Sequence, residues 1–166
     1  MSIDSPHSSF STCDLADLHK SDGAQRFRSM AMVFRSFGAR GAFAGRVKTV
    51  KCFEDNTCVK AAVESPGQAR VLVVDGAASL GRALLGGNLG KAAADNGWAG
   101  LVINGCVRDV AELAPLPIGI FALASNPLPT DRKGQGVTDC PVQIQGVWVF
   151  PGDQLYADAD GIVLMP

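Results

Sequence analysis

Histidine and aromatic residues are scarce in this chain of 166 residues, which has two His, one Tyr, two Trp and an aromatic share of 7%. Both histidines, His7 and His19, lie near the polar start, and Cys52 and Cys58 are spaced unlike the common zinc pairs, so a structural zinc site has little to be built from. The cysteines are odd in number and widely scattered (Cys13, Cys52, Cys58, Cys106 and Cys140), in a chain long enough to hold together without staples. Reduced thiols are expected. No uninterrupted apolar stretch approaches the roughly 20 residues that cross a bilayer, and MSIDSPHSSFSTCDLADLHKSD lacks the basic start and apolar segment of a secretory signal. A cytoplasmic location without membrane association is therefore expected. Neither sign of charge dominates: 15 Lys and Arg against 16 Asp and Glu leave a net charge of −1, with no basic tail. That balance gives direct nucleic-acid binding no support.

What is present is apolar. A hydrophobic share of 47% is ample for one core in a chain of this length. Residues 1–12, rich in Ser, Asp and Pro, read as a flexible arm, and residues 13–166 as a single domain. Leu15 and Leu18 predict a short helix over 14–20. Alternating apolar and basic residues over 43–53 predict a partly solvated strand, ended by Glu54, Asp55 and Asn56, with a short helix over 57–64. RVLVVD (70–75) and GLVIN (100–104) are β-branched, continuous runs suited to buried strands, and a helix over 84–96 ended by Gly97 would join them as a βαβ unit. A second unit follows, with a helical turn over 109–113 and a strand over 118–124. The tail returns to strand character over 142–150, turns at Pro151, Gly152 and Asp153, and finishes on GIVLM (161–165). The class is α/β.

Chemistry concentrates in the glycine-rich segment DGAASLGRALLGGNLG (75–90). Gly76 and Gly81 have the spacing of a phosphate-binding loop, but Arg82 and Ala83 stand where Lys and Ser or Thr are required, and no G-x-G-x-x-G is present. Gly86, Gly87, Asn88 and Leu89 open a helix, whose first N–H groups lack helical partners and can hold a carboxylate. Equally, the glycines can serve only close strand-to-helix packing. The strand GLVIN delivers Cys106, Arg108 and Asp109 at its C-terminal edge, where open α/β sheets usually place ligands. Asp109 offers hard oxygen ligation for Mg²⁺ or Mn²⁺ and Arg108 a fixed fork for a substrate oxyanion. The alternative is a solvated pair with Asp109 capping the turn that contains Glu112. Asp153, Asp158 and Asp160 read as turn chemistry, Cys106 as a buried thiol, and Trp98 and Trp148 as core or subunit-interface residues.

Four strings in order, 34–56, 70–90, 96–109 and 151–164, resemble the RraA-like family, and the resemblance covers nearly the whole chain after Ser11. It implies a swivelling β/β/α domain assembled as a ring-shaped trimer with active sites at subunit boundaries. It also implies one of two roles. The first is a divalent-metal-dependent aldolase cleaving 4-hydroxy-4-methyl-2-oxoglutarate to pyruvate, with oxaloacetate decarboxylase activity through the same enolate. The second is a regulator that binds and inhibits an endoribonuclease. Carried over, the backbone of Gly86, Gly87, Asn88 and Leu89 would bind the substrate carboxylate, Arg108 would contact substrate and Asp109 would hold the metal. Regulators of the family look like members with that aspartate replaced, so Asp109 points to the enzyme. The base for the 4-hydroxyl proton is expected to be a water on the metal, helped by Glu112 or a neighbouring subunit's carboxylate. One departure stands out: the carboxylate that some aldolases carry in the glycine-rich loop is absent from Gly86, Gly87 and Asn88.

Overall fold

A computed structural model describes residues 9–166. The elements run α1 (Thr12–His19), β1 (Arg28–Ala31), β2 (Arg35–Ser36), β3 (Phe43–Lys51), α2 (Thr57–Val63), β4 (Val71–Asp75), β5 (Ala83–Leu85), α3 (Gly87–Asp95), β6 (Gly100–Val107), α4 (Val110–Leu113), β7 (Gly119–Ser125), β8 (Val137–Thr138), β9 (Val142–Ile144), β10 (Val147–Val149), β11 (Gln154–Asp158) and β12 (Gly161–Met165). Residues 1–8 of the expected arm lie outside the described residues. Thr12, placed at the end of that arm, is already the first residue of α1. It is buried, and its N–H and hydroxyl donate to Asp158 Oδ2 and Oδ1 at 2.8 and 2.7 Å.

One large sheet organises the fold, in the order β1-β12-β11-β3-β4-β6-β7-β2. Its centre, β3, β4, β6 and β7, is parallel, and the β1, β12, β11 side is antiparallel. β4 and β6 are buried along their whole length, as continuous apolar runs covered on both faces must be. One face packs against α2, α3 and α4 through Val59, Val63, Leu89, Ala93 and Leu113. The other packs Phe43, Val73, Val102 and Phe121 against Val142, Ile144 and Val149 of the β9–β10 hairpin. Phe43 decides the local packing there. Its ring lies where a Cβ on Gly100 or Gly119 would approach to 2.2 or 2.0 Å, and it meets Phe121 edge-on at 4.9 Å.

Two expected elements are corrected. The helix expected over 84–96 begins only at Gly87, because buried Leu84 and Leu85 belong to β5, which pairs with the end of β6. The strand expected over 142–150 is a hairpin, broken where Gln145 and Gly146 take φ of 50° and 76°, the left-handed pair that a tight two-residue turn requires. The tail acidic residues do serve turns and ends. Asp158 Oδ1 accepts from Asp160 N at 3.0 Å, and buried Asp153 accepts from Phe150 N and pairs with Arg28 at 2.9 Å. Between them lies β11, a strand the sequence reading passed over. Trp98 is in the core, whereas Trp148 is about half exposed. No helix among the described residues is long and apolar enough to cross a membrane.

Candidate active site

β5 takes over from β4 alongside the C-terminal end of β6, pairing Ala83 with Cys106 and Leu85 with Val107. Two chain segments therefore leave the sheet side by side: Gly86 into α3, and Arg108-Asp109 into α4. Arg108 N donates to Leu85 O at 2.9 Å, which fixes the two exits against each other. Gly86 and Gly87 are poor helix formers, and Gly86 is extended at the N-cap, so the helix starts here and not at Leu84. The first helical bond runs from Gly90 N to Gly86 O. It leaves the N–H groups of Gly87, Asn88 and Leu89 outside the ladder at the positive end of the helix dipole.

Asp109 is in the left-handed region, φ 58° and ψ 44°, and occupies the N-cap of α4 without a side-chain cap bond. Asp tolerates this conformation better than most residues. Its carboxylate turns instead across to α3, where Oδ2 accepts from Gly87 N at 2.9 Å. The same oxygen is 3.9 Å from Arg108 Nε. A Cβ on Gly86 would lie 2.6 Å from Asp109 Oδ2, and one on Gly87 would lie 2.0 Å from Glu112 Oε2. The glycine pair is thus a cradle into which two carboxylates, Asp109 and Glu112, are folded. The glycines let the Arg108–Glu112 segment pack closely on the start of α3. Cys106, on β6 two residues before Arg108, is fully buried, and that burial raises its thiol pKa, which makes it a poor nucleophile.

A cleft of about 580 Å³ opens over this cradle and is lined by Gly86, Gly87, Asn88, Leu89, Arg108 and Asp109. All six residues singled out in the sequence are therefore brought together. The opposite wall had no counterpart in that reading: it is formed by Asn56, Lys60 and Glu64 along α2 and its caps and by Pro129, Thr130, Asp131 and Arg132 of the loop after β7. Buried Asn56 organises that wall. Its Nδ2 donates to Leu84 O at 3.1 Å, and its Oδ1 accepts from Thr130 Oγ1 at 2.8 Å and Arg132 Nε at 3.0 Å. Asp55 anchors the loop further on, accepting from Lys133 N and Gln135 N at 2.8 and 3.1 Å. The signal available in the sequence was NPLPTDRKGQG (126–136), a loop rich in Pro, Gly and charge following a parallel strand.

The RraA-like family model, described as Aldolase/RraA, matches residues 12–164. The chain belongs to the RraA-like family. A relative from Albidiferax ferrireducens, provisionally named 4-hydroxy-4-methyl-2-oxoglutarate aldolase, is 63% identical over 164 residues, which span 94% of this chain and 95% of the relative. Among solved structures, the RNA-processing inhibitor RraA from Thermus thermophilis matches with a TM-score of 0.90 at 47% identity, covering 95% of this chain and 93% of that one. A Geobacillus kaustophilus protein described as an S-adenosylmethionine:2-dimethylmenaquinone methyltransferase matches at 0.86 and 39% identity, with 94% of each chain covered. These likenesses bear out the expected RraA-like α/β fold. Within the family, the cleft bounded by Gly86–Leu89 and Arg108-Asp109 is the site where the sequence and the geometry agree.

Proposed function

We propose that the protein is an aldolase that cleaves 4-hydroxy-4-methyl-2-oxoglutarate to two molecules of pyruvate, and decarboxylates oxaloacetate as a secondary reaction. The observation that carries this reading is the pair of open helix N–H groups and the Asp109 carboxylate facing one cleft beside Arg108. In the cleavage, the C3–C4 bond breaks and its electron pair moves into the C2 carbonyl system. The C4 hydroxyl loses its proton as C4 becomes the ketone of the departing pyruvate, and the enolate left behind takes a proton at C3. The N–H groups of Asn88 and Leu89, which have no protein acceptor among the described residues, hold the C1 carboxylate at the helix end. Arg108 faces the keto oxygen, where negative charge develops. Glu112, whose carboxylate packs against Gly87 at the edge of this cradle, is the residue assigned to take the hydroxyl proton.

The donor set fits a hard divalent cation. Asp109 Oδ1 has no protein hydrogen-bond partner among the described residues, and the missing Cβ at position 86 leaves room for its carboxylate. No cluster of three His, Cys, Asp or Glu is present among the described residues. A cation such as Mg²⁺ or Mn²⁺ that keeps most of its waters is therefore the class that suits Asp109. When bound, it supplies Lewis acidity at the keto oxygen.

The regulatory reading, a protein that inhibits an endoribonuclease, draws on the family description and the Thermus relative's name, with no observation of this chain's cleft behind it. The methyltransferase name fits less well, because no aromatic side chain among the described residues lines the cleft to stack an adenine. A homotrimer, with neighbouring subunits closing the open cleft, and a cytoplasmic location belong to the same proposal. The test is pyruvate release from 4-hydroxy-4-methyl-2-oxoglutarate. Protein dialysed against a chelator should be inactive and regain turnover with Mg²⁺ or Mn²⁺. Full activity in demonstrably metal-free protein would overturn the role given to Asp109, and ribonuclease inhibition without pyruvate release would favour the regulator.

A further inference from the structure

Arg132 was not among the residues the sequence singled out, yet the structure holds it in place from below. Its Nε donates to Asn56 Oδ1 at 3.0 Å, and Asn56 is itself buried and tied through Nδ2 to Leu84 O at 3.1 Å. Arg108 is tied to the very next carbonyl, Leu85 O, at 2.9 Å. The two arginines thus hang from adjacent peptide groups of one strand. They also lie on opposite sides of it: β5 pairs with β6, which leads into Arg108, while its Ala83 bridges Pro129 and donates to Leu128 O at 2.8 Å on the other side. Two strand spacings, roughly 10 Å, separate the two backbones, and both side chains line the same cleft.

The other charges at that end are accounted for. Lys60 is neutralised by Glu64 at 2.6 Å. The terminal nitrogens of Arg132 form neither a hydrogen bond nor an ion pair among the described residues. Of the anions at that end among the described residues, Glu64 is taken up by Lys60, and Asp131, exposed and held by no hydrogen bond, is left to oppose a negative ligand. An arginine whose Nε is pinned by a buried amide presents its remaining fork in a set direction, the geometry that suits a carboxylate.

We propose that Arg132 binds the distal carboxylate of the substrate and makes the cleft selective for 2-oxo diacids over 2-oxo monoacids. Asn56 is the positioning residue that aims it. The inference rests on the aldolase reading for the direction in which the substrate lies, with C1 at Gly86–Leu89 and the far carboxylate at Arg132. In aldol cleavage that carboxylate keeps its charge throughout, so Arg132 contributes equally to ground and transition states and acts on KM. In oxaloacetate decarboxylation the same group departs as neutral CO₂. There the guanidinium favours the bound substrate over the transition state, so its loss raises KM without lowering kcat.

Calorimetric binding in the presence of Mg²⁺ separates the possibilities, using 2-oxoglutarate and 2-oxopentanoate as probes, which differ by the distal carboxylate. Wild type should prefer the diacid by roughly 10-fold to 100-fold, the worth of one charge-assisted hydrogen-bonded pair. Arg132→Gln should abolish the preference and leave 2-oxopentanoate binding unchanged. Arg132→Lys should restore part of it, and Asp131→Asn should tighten the diacid. Undiminished diacid binding by Arg132→Gln, equal loss for both probes, or weaker diacid binding by Asp131→Asn would overturn the assignment. Selective loss of diacid binding in a protein that releases no pyruvate would support Arg132 while removing the aldolase reading. Failure of wild type to bind either probe would remove both.

Discussion

Asp55 is buried with an ionised carboxylate, and its four hydrogen bonds explain how. Thr57 N and Oγ1 donate to Oδ1 at 2.9 and 2.6 Å, and Lys133 N and Gln135 N donate to Oδ2 at 2.8 and 3.1 Å. Burial on its own pushes the pKa up, but the bonds from Thr57, Gln135 and Lys133 outweigh it and hold the carboxyl well below the usual carboxylate range. A group whose pKa is depressed on folding contributes its full stability above the unfolded value, near 4 for Asp, and loses it as pH falls through the folded value. Asp55→Asn puts an amide N–H against backbone donors and should cost about 1–3 kcal/mol at pH 7. In urea unfolding, the gap between wild type and variant should narrow as pH drops below about 4. A gap that is absent at pH 7, or constant with pH, would contradict this account of the loop anchor. At the same scale Cys52 behaves oppositely. Burial, with Cys58, Asp55 and Asp75 adding to it, pushes its thiol up to about 12, which makes it an inert core residue.

Elements were legible where one local signal sufficed. The runs VLVVD and GLVINGCV are apolar without alternation because β4 and β6 are covered on both faces, and they appear where the pattern placed them. α3 was located, but its start was not, because Leu84 and Leu85 satisfy a helical pattern as well as a strand. Pairing with β6 decides between the two, and that pairing is a tertiary fact. β11 was hidden by its ends. Asp153 and Asp158 read as turn residues and are such, yet between them Leu155 and Ala157 are buried where β11 lies between β12 and β3. Half of the cleft was legible for the same reason that β6 was: Gly86–Leu89 and Arg108-Asp109 each follow a segment with a clear signature. The other half depends on Asn56, which looks locally like the end of a strand, reaching residues 130 and 132.

For the whole molecule, the cleft is open on a single chain, and Val33, Trp148 and Phe150 are exposed apolar residues elsewhere on the surface. Isolated exposed apolar groups are ordinary, but large aromatic ones are common at subunit contacts. The proposed trimer, which rests on the family resemblance and the open cleft, predicts a species of three times 17.3 kDa or a multiple of it in sedimentation equilibrium at micromolar concentration, and a 17.3 kDa species alone would contradict it. The central claim is that Asp109 serves catalysis and is not merely a cap of α4. Its carboxylate makes no cap bond in α4 and reaches Gly87 N instead. Asp109→Asn keeps an oxygen that can accept that N–H, so fold and assembly should persist, while the charge that would hold a divalent cation is lost. With saturating Mg²⁺, the variant should release pyruvate from 4-hydroxy-4-methyl-2-oxoglutarate roughly 100-fold or more slowly than wild type, with unchanged circular dichroism. Near-equal rates in two well-folded proteins would contradict the account.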